Sequence, residues 1–321
     1  MKAIVYSNYG PPDVLKCEEI EKPAAGDNEV LIKVRAAAVN PLDWHFMRGT
    51  PYLMRMGTGL RKPKNPRLGV DVAGQVEAVG RLVTQFKPGD EVFGSCHGAF
   101  AEYVCTAESA LVAKPESLTF EQAASAPVAA FTALQGLRDK GRIQPGQKVL
   151  INGAAGGVGT FAVQIARWLG ADVTGVCSTR NVDPVRSIGA DRVIDYTQED
   201  FTRTGQRYDL IFDCVGNHSL TACRRVLNPK GVYILVGGPS ANPWLDPLPR
   251  AIKALLLSMF VSQRLLMMLA KANQNDLTTI SELMQSGKVT PVIDRSYSLT
   301  EVPEAIRYLE QGHARGKVVM A

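Results

Sequence analysis

The chain has 321 residues, 45% hydrophobic, 21% charged and 7% aromatic, a balance that excludes a disordered, collagen-like or disulfide-stapled miniprotein. Thirty-six Lys and Arg against 31 Asp and Glu leave a formal charge of +5, too mild and scattered to mark a nucleic-acid binder. The length suits about two domains, each able to bury its own core. Six cysteines (Cys17, Cys96, Cys105, Cys177, Cys214, Cys223) form no C-x-x-C pair. That speaks against a zinc ribbon or a disulfide framework and suits a reducing compartment, so a cytoplasmic protein is expected.

Lys2–Tyr6 opens the chain as an amphipathic strand, without the basic and apolar regions of a secretory signal. Strand-like segments follow at Glu29–Ala38, Val72–Val79, Glu91–Phe93, Ala99–Val104 and Leu111–Ala113. Gly10-Pro11, Gly26-Asp27 and Pro88-Gly89 punctuate them, which predicts a compact, barrel-like β domain. Met47–Arg67 reads as a basic loop in which Arg55, Arg61, Lys62, Lys64 and Arg67 lie among Gly and Pro. A solvated loop is the first expectation; a pocket rim that draws in an anionic cofactor is the alternative.

From Phe120 the texture turns to Ala-rich helix and then to alternating strands and helices. Val149–Asn152, Asp172–Cys177, Arg192–Ile194, Asp209–Asp213 and Val232–Val236 are the strands, and Val158–Leu169 is a helix stopped by Gly170. Alternation of this kind predicts a parallel sheet covered on both faces and wound in both directions. Ala251–Ala270 is the most apolar stretch, but Lys253 and Arg264 leave too short a clean run to span a bilayer. A helix lining a core or pocket is expected there, with a position on a membrane surface as the alternative. Val292–Tyr297 and Lys317–Met320 are strand-like again and can rejoin the first domain. The expected domains are therefore residues 1–122 with 280–321, and residues 123–279.

Lys148-Val-Leu-Ile-Asn-Gly153-Ala-Ala-Gly156-Gly157-Val-Gly159 runs from a strand through a glycine turn into a helix. Glycines let backbone N–H groups approach a pyrophosphate, and the helix N-terminus adds its positive dipole end. Gly153, Ala155, Gly156, Gly157 and Val158 are the candidate phosphate-binding positions, in a variant of the strict G-x-G-x-x-G spacing. An NAD enzyme places Asp or Glu at the end of the second strand; this chain has Cys177-Ser-Thr-Arg-Asn181. Arg180 can pair with a 2′-phosphate and Ser178 can hydrogen-bond it, so NADPH is expected over NADH.

There is no H-E-x-x-H, no G-x-S-x-G and no Tyr-x-x-x-Lys. Cys96-His97 is the one adjacent pair of soft ligands, and neighbours on a strand point oppositely, so no metal site is expected. A nucleotide-binding domain without metal or covalent nucleophile points to direct hydride transfer.

Asn40-Pro-Leu-Asp43, Gly69-Val-Asp71-Val-Ala-Gly74, Phe86-Lys-Pro-Gly-Asp-Glu-Val-Phe93, Gly98-Ala-Phe-Ala-Glu-Tyr103, the glycine turn, Asp213-Cys-Val-Gly216 and Gly316-Lys-Val-Val319 run the length of the chain. In these the sequence resembles the zinc-free quinone oxidoreductase branch of the medium-chain dehydrogenase/reductase superfamily. Val70 and Asn40 stand where that superfamily's zinc alcohol dehydrogenases have a histidine and a cysteine ligand, and the cysteine-rich structural-zinc lobe is absent. The resemblance implies an α/β protein with a GroES-like β-barrel catalytic domain and a Rossmann domain, often a homodimer. It implies NADPH-dependent reduction of quinones or of C=C bonds conjugated to a carbonyl.

Carried over position by position, Asn40 and Thr132 are expected near the nicotinamide, and Val236, Gly237 and Gly238 at its carboxamide. Tyr196 is expected beside Ser178 and Arg180 at the 2′-phosphate, Val215 and Gly216 under the adenosine, and Lys317 closing the site. His45 stands where some relatives have Tyr, and the Gly49–Tyr52 loop is one residue longer than in some. Negative charge developing on the substrate oxygen needs hydrogen-bond donors, and Tyr52 and His45 are the candidates beside Asn40. Trp244, Met259, Phe260, Met267 and Met268 suggest an apolar pocket wall and a small hydrophobic carbonyl or quinone substrate. The rivals are a zinc-type alcohol dehydrogenase and a catalytically idle nucleotide-binding protein.

Overall fold

The computed structural model describes residues 1–238 and 261–321. β1 (Lys2–Val5) and β2 (Lys16–Glu19) pair antiparallel as a small separate sheet. β3 (Glu29–Val39), β4 (Asp71–Val79), β5 (Glu91–Ser95), β6 (Tyr103–Ala107) and β7 (Leu111–Ala113) follow. Next come β8 (Lys148–Asn152), β9 (Asp172–Cys177), β10 (Arg192–Asp195), β11 (Tyr208–Asp213), β12 (Leu227–Leu235) and β13 (Arg264–Met267). β14 (Ile293–Tyr297) and β15 (Lys317–Met320) close the chain.

The chain divides into two compact units, Met1–Val128 with Ala272–Gly287 and Pro291–Ala321, and Ala129–Lys271 with Lys288–Thr290. The seams expected at 122/123 and 279/280 thus lie some residues from these divisions. The helix Gln274–Gln285 goes with the first unit because the Gln274 amide donates to Leu111 O and Gln85 Oε1.

In the first unit the strand order is β14-β15-β3-β4-β5-β7, with β6 also on β3. Two register shifts bend the eleven-residue β3, so its first half pairs β6 while its last residues pair β15. One strand serving two neighbours along one edge curls the sheet, as bulges do in barrels. Ile4, Val30, Ile32, Val72, Val92, Phe100, Leu111 and Val318 fill the interior, each contributing about 1.5–3 kcal/mol by leaving water.

The second unit is a six-stranded sheet of order β10-β9-β8-β11-β12-β13, parallel throughout. β8, β9 and β11 read as near-continuous apolar runs because helices cover both faces. The chain order reverses between β8 and β11, which opens a crevice at their carboxyl ends.

Two sequence expectations change. The strand expected at Ala99–Val104 begins only at Tyr103; Ala99 N and Phe100 N instead donate to Gly69 O and Leu68 O, and Phe100 O accepts from Ile4 N of β1. Of the stretch Ala251–Ala270 expected as a helix, residues 251–260 lie outside the described residues, and Arg264–Met267 is instead β13, the edge strand beside β12. Met267 is half-exposed on that edge and Met268 is buried, while Trp244, Met259 and Phe260 lie outside the described residues. Among the described residues no helix is long and apolar enough to cross a membrane.

Candidate functional site

At the carboxyl edge of the parallel sheet the ends of five strands bring together most of the expected cofactor positions: Gly153–Val158 after β8, Ser178 and Arg180 after β9, Tyr196 after β10, Val215 and Gly216 after β11, and Val236–Gly238 after β12. Gly153 takes φ +84°, and a Cβ there would meet Val215 Cγ2 at 2.7 Å. A Cβ on Gly159 would meet Gly153 O at 2.0 Å, so glycine is what lets the helix Gly157–Trp168 start tight against the turn. No side chain caps that helix among the described residues, and Ala155, Gly156, Gly157 and Val158 are half-exposed. An uncapped N-terminus behind a bare glycine turn is a cradle for a pyrophosphate.

Asp213, the last residue of β11 and fully buried, organises this edge. Its Oδ1 accepts from Gly216 N (2.7 Å), Val215 N (3.0 Å) and Asn152 Nδ2 (2.8 Å), and its Oδ2 from Tyr233 Oη (2.7 Å). Its main-chain oxygen accepts from Val236 N at 2.8 Å. One carboxylate therefore ties the ends of β8, β11 and β12 together at the switch point. Neither Asp213 nor Asn152 is assigned a role by the sequence motifs that contain them. The available signal was an acid closing an apolar strand two residues before the turn that ends in Gly216.

At the β9 corner Arg180 is exposed and makes no ion pair among the described residues. Ser178 Oγ accepts from Asn181 Nδ2 at 3.0 Å, which leaves its own proton to donate. Parallel pairing also brings Asp195 beside Cys177, an acid that sequence spacing did not reveal. Its carboxylate is turned to its own loop, accepting from Thr197 N (3.0 Å) and Thr197 Oγ1 (2.8 Å). The bond from Thr179 and those from Thr197 hold it below the usual carboxylate range. Tyr196 stands 56% exposed. Thr132 is buried in the helix Pro127–Leu134 of the same unit.

Asn40, His45, Tyr52 and Lys317 belong to the first unit. There the helix Pro41–Arg48 starts from Asn40, and Asp43 three residues on accepts from Asn40 N at 2.7 Å. Asn40 Nδ2 donates to Asp71 Oδ2 (2.9 Å) and Ala38 O (3.2 Å), and Asn40 Oδ1 accepts from Lys317 Nζ (2.5 Å). Asp71 Oδ1 accepts from Val128 N at 3.1 Å, its Oδ2 lies 3.6 Å from Lys317 Nζ, and Asp43 Oδ1 accepts from Gly69 N at 3.1 Å. All four side chains are buried. Burial pushes Asp43 up to about 7, the bond from Asn40 N opposing and the Asp71 charge adding. Burial also raises Asp71 and lowers Lys317, each opposed by the attraction between them. The amide expected beside the nicotinamide is thus engaged at both ends within its own unit, and the structure brings Lys317 to it.

His45 stacks on Trp44 at 3.7 Å, and its Nδ1 lies 2.7 Å from Thr50 O. A carbonyl only accepts, so Nδ1 carries the proton. Burial lowers the imidazole pKa, so the neutral ring offers Nε2 as an acceptor. Tyr52 opens a short helical turn, and the Arg55 guanidinium lies 4.4 Å over its ring.

Known proteins resemble this chain in sequence and in fold. Residues 26–116 match the family described as the alcohol dehydrogenase GroES-like domain, and residues 188–320 the one described as zinc-binding dehydrogenase. The chain is 34% identical to the 2-methylene-furan-3-one reductase of Solanum lycopersicum, over 100% of its own length and 79% of the relative's. It is 35% identical, with the same coverage, to the chloroplastic NADPH-dependent alkenal/one oxidoreductase of Arabidopsis thaliana. The solved quinone oxidoreductase of Coxiella burnetii superposes with a TM-score of 0.87 at 32% identity, covering 100% of this chain and 98% of that one. With a GroES-like unit, a Rossmann unit and these relatives, the chain belongs to the quinone oxidoreductase branch of the medium-chain dehydrogenase/reductase superfamily.

Proposed function

We propose that the chain is an NADPH-dependent oxidoreductase that reduces quinones or C=C bonds conjugated to a carbonyl, working as a homodimer in the cytoplasm. The observation that carries this reading is the sheet edge, where a bare glycine turn and an uncapped helix end precede an exposed Arg180 and the Ser178 hydroxyl. These residues fit NADPH: N–H groups for the pyrophosphate and a cation and a hydroxyl for the 2′-phosphate, with Asp195 turned to Thr197. Bound NADPH supplies the hydride. The activities named for the tomato and Arabidopsis relatives support the substrate class. Six scattered cysteines with no C-x-x-C pair support a reducing compartment.

The donors in the catalytic unit do not fit a zinc ion. The Lys317 ammonium bonds to Asn40 Oδ1 and pairs with Asp71, so a cation of the protein's own already sits among those oxygens. Cys96 is buried, and burial with the nearby Asp71 and Asp43 pushes its thiol up, which disfavours the thiolate a metal needs. Negative charge on the substrate oxygen then depends on hydrogen bonds. His45 donates its one ring proton to Thr50 O, which leaves the Tyr52 hydroxyl, together with solvent, as the source of donors.

The test is NADPH consumption against a panel of quinones, enones and enals. Turnover on a member of that panel is expected. Tight NADPH binding with no turnover on any of them would sink the reading in favour of a catalytically idle protein.

A further inference from the structure

We propose that the helical turn and loop spanning Tyr52–Lys64 dock the protein on anionic phospholipid bilayers. The proposal stands independently of the reductase reading, because lipid binding is measured without substrate.

Three of the nine large apolar or aromatic side chains that stand in solvent among the described residues fall within eight positions: Leu53 (52% exposed), Met56 (70%) and Leu60 (72%). Leu53 and Met56 stand three residues apart on consecutive helical turns and so share a side, and Leu60 follows just past the end of those turns at Gly59. Arg61, Lys62 and Lys64 follow, exposed and without an ion pair among the described residues. Between Asp43 and Asp71 the chain has six Lys and Arg and no acid.

This presentation is built rather than frayed. Tyr9 Oη donates to Gly59 O at 2.7 Å, and Lys64 N donates to Thr58 O at 2.7 Å, closing the loop. The Arg55 guanidinium lies 4.5 Å over the Tyr9 ring and 4.4 Å over that of Tyr52, and its Nε donates to Gly49 O at 2.8 Å. The scaffold therefore holds three greasy side chains outward where hydrophobic burial would draw them in.

Occupant chemistry follows from the shape and the charge. A nucleic acid would use the cations and leave the leucines and methionine in water. A peptide helix docks its apolar face in a groove, whereas side chains left 70% in solvent protrude. A bilayer takes protruding apolar side chains at the headgroup boundary while its anionic lipids take the adjacent lysines and arginine.

The test is flotation of the full chain with vesicles of phosphatidylcholine alone and with about one quarter phosphatidylglycerol. Partitioning to the anionic vesicles on the order of 10⁴ M⁻¹ is expected. R61Q/K62Q/K64Q should weaken it about a hundredfold, and L53S/M56S/L60S about tenfold or more with circular dichroism unchanged. Absence of wild-type flotation, equal flotation with neutral vesicles, or flotation undiminished in both triple variants would each overturn the proposal. So would a dimer that sediments as monomer in L53S/M56S/L60S, which would make this face a subunit contact.

Discussion

An exposed guanidinium at the end of β9 is satisfied by a phosphate at least as well as by water, and this is the physical content of the cofactor preference proposed for Arg180. A charge-assisted bidentate pair contributes about 1.5–3 kcal/mol. Arg180→Ala should therefore lower kcat/KM for NADPH about 10- to 100-fold and leave NADH use nearly unchanged, as steady-state kinetics with both cofactors will record. Asp213 acts one step removed. It touches the backbone of Val215 and Gly216 and the amide of Asn152, so Asp213→Asn places an amide against donors and loosens the turn. We expect Kd for NADPH to rise about tenfold or more by titration, with kcat at saturation falling less. Ser178 and Arg180 were legible because the chemistry of a ribose corner selects residue types at one strand end. Asp195 and the double engagement of Asn40 were not, because both depend on which strands lie side by side.

The helix Pro41–Arg48 shows how local and long-range terms meet in one element. Asn40 at its cap, proline at its start and Asp43 at the third position are helix-start signals readable in sequence. Burial adds something sequence does not show, an Asp43 pKa raised to about 7. A carboxyl with a folded pKa above its unfolded value binds its proton more readily in the native state. Its contribution is thus complete below pH 3.8 and is lost as pH rises through about 7. The unfolding free energy from denaturant titrations should fall between pH 5 and pH 7 by an amount on the order of 2 kcal/mol from this group, and Asp43→Asn should flatten that slope. β15 carries the other half of the cluster. Lys317→Met strands the Asp71 carboxylate in the interior and should cost about 3–5 kcal/mol; Lys317→Met with Asp71→Asn should recover part of it in urea titrations. The strand expected at Ala99–Val104 starts late for a related reason. Ala99 and Phe100 give their N–H groups to Gly69 and Leu68, a pairing no local propensity announces.

The molecule as a whole divides its work between a curled, mostly antiparallel unit that buries an ammonium with two carboxylates and a parallel sheet whose edge is shaped for a dinucleotide. An enzyme whose catalytic unit already holds a lysine ammonium among its oxygens should keep its turnover after dialysis against EDTA. A loss restored by zinc would contradict the metal-free reading. Bound NADPH should in turn raise the unfolding free energy by about 2.7 kcal/mol at a hundred times its Kd. The sequence by itself determined the two textures, the glycine turn, the absence of an acid between Cys177 and Asp183, and the family, because these depend on residues adjacent in the chain or repeated at fixed spacing. Only the tertiary structure decided that Asp213 ties three strand ends together, that Lys317 meets Asn40 and Asp71, and that Arg264–Met267 is an edge strand. Those contacts join residues far apart in the chain, and their partners are set by sheet order and burial, which no local pattern encodes.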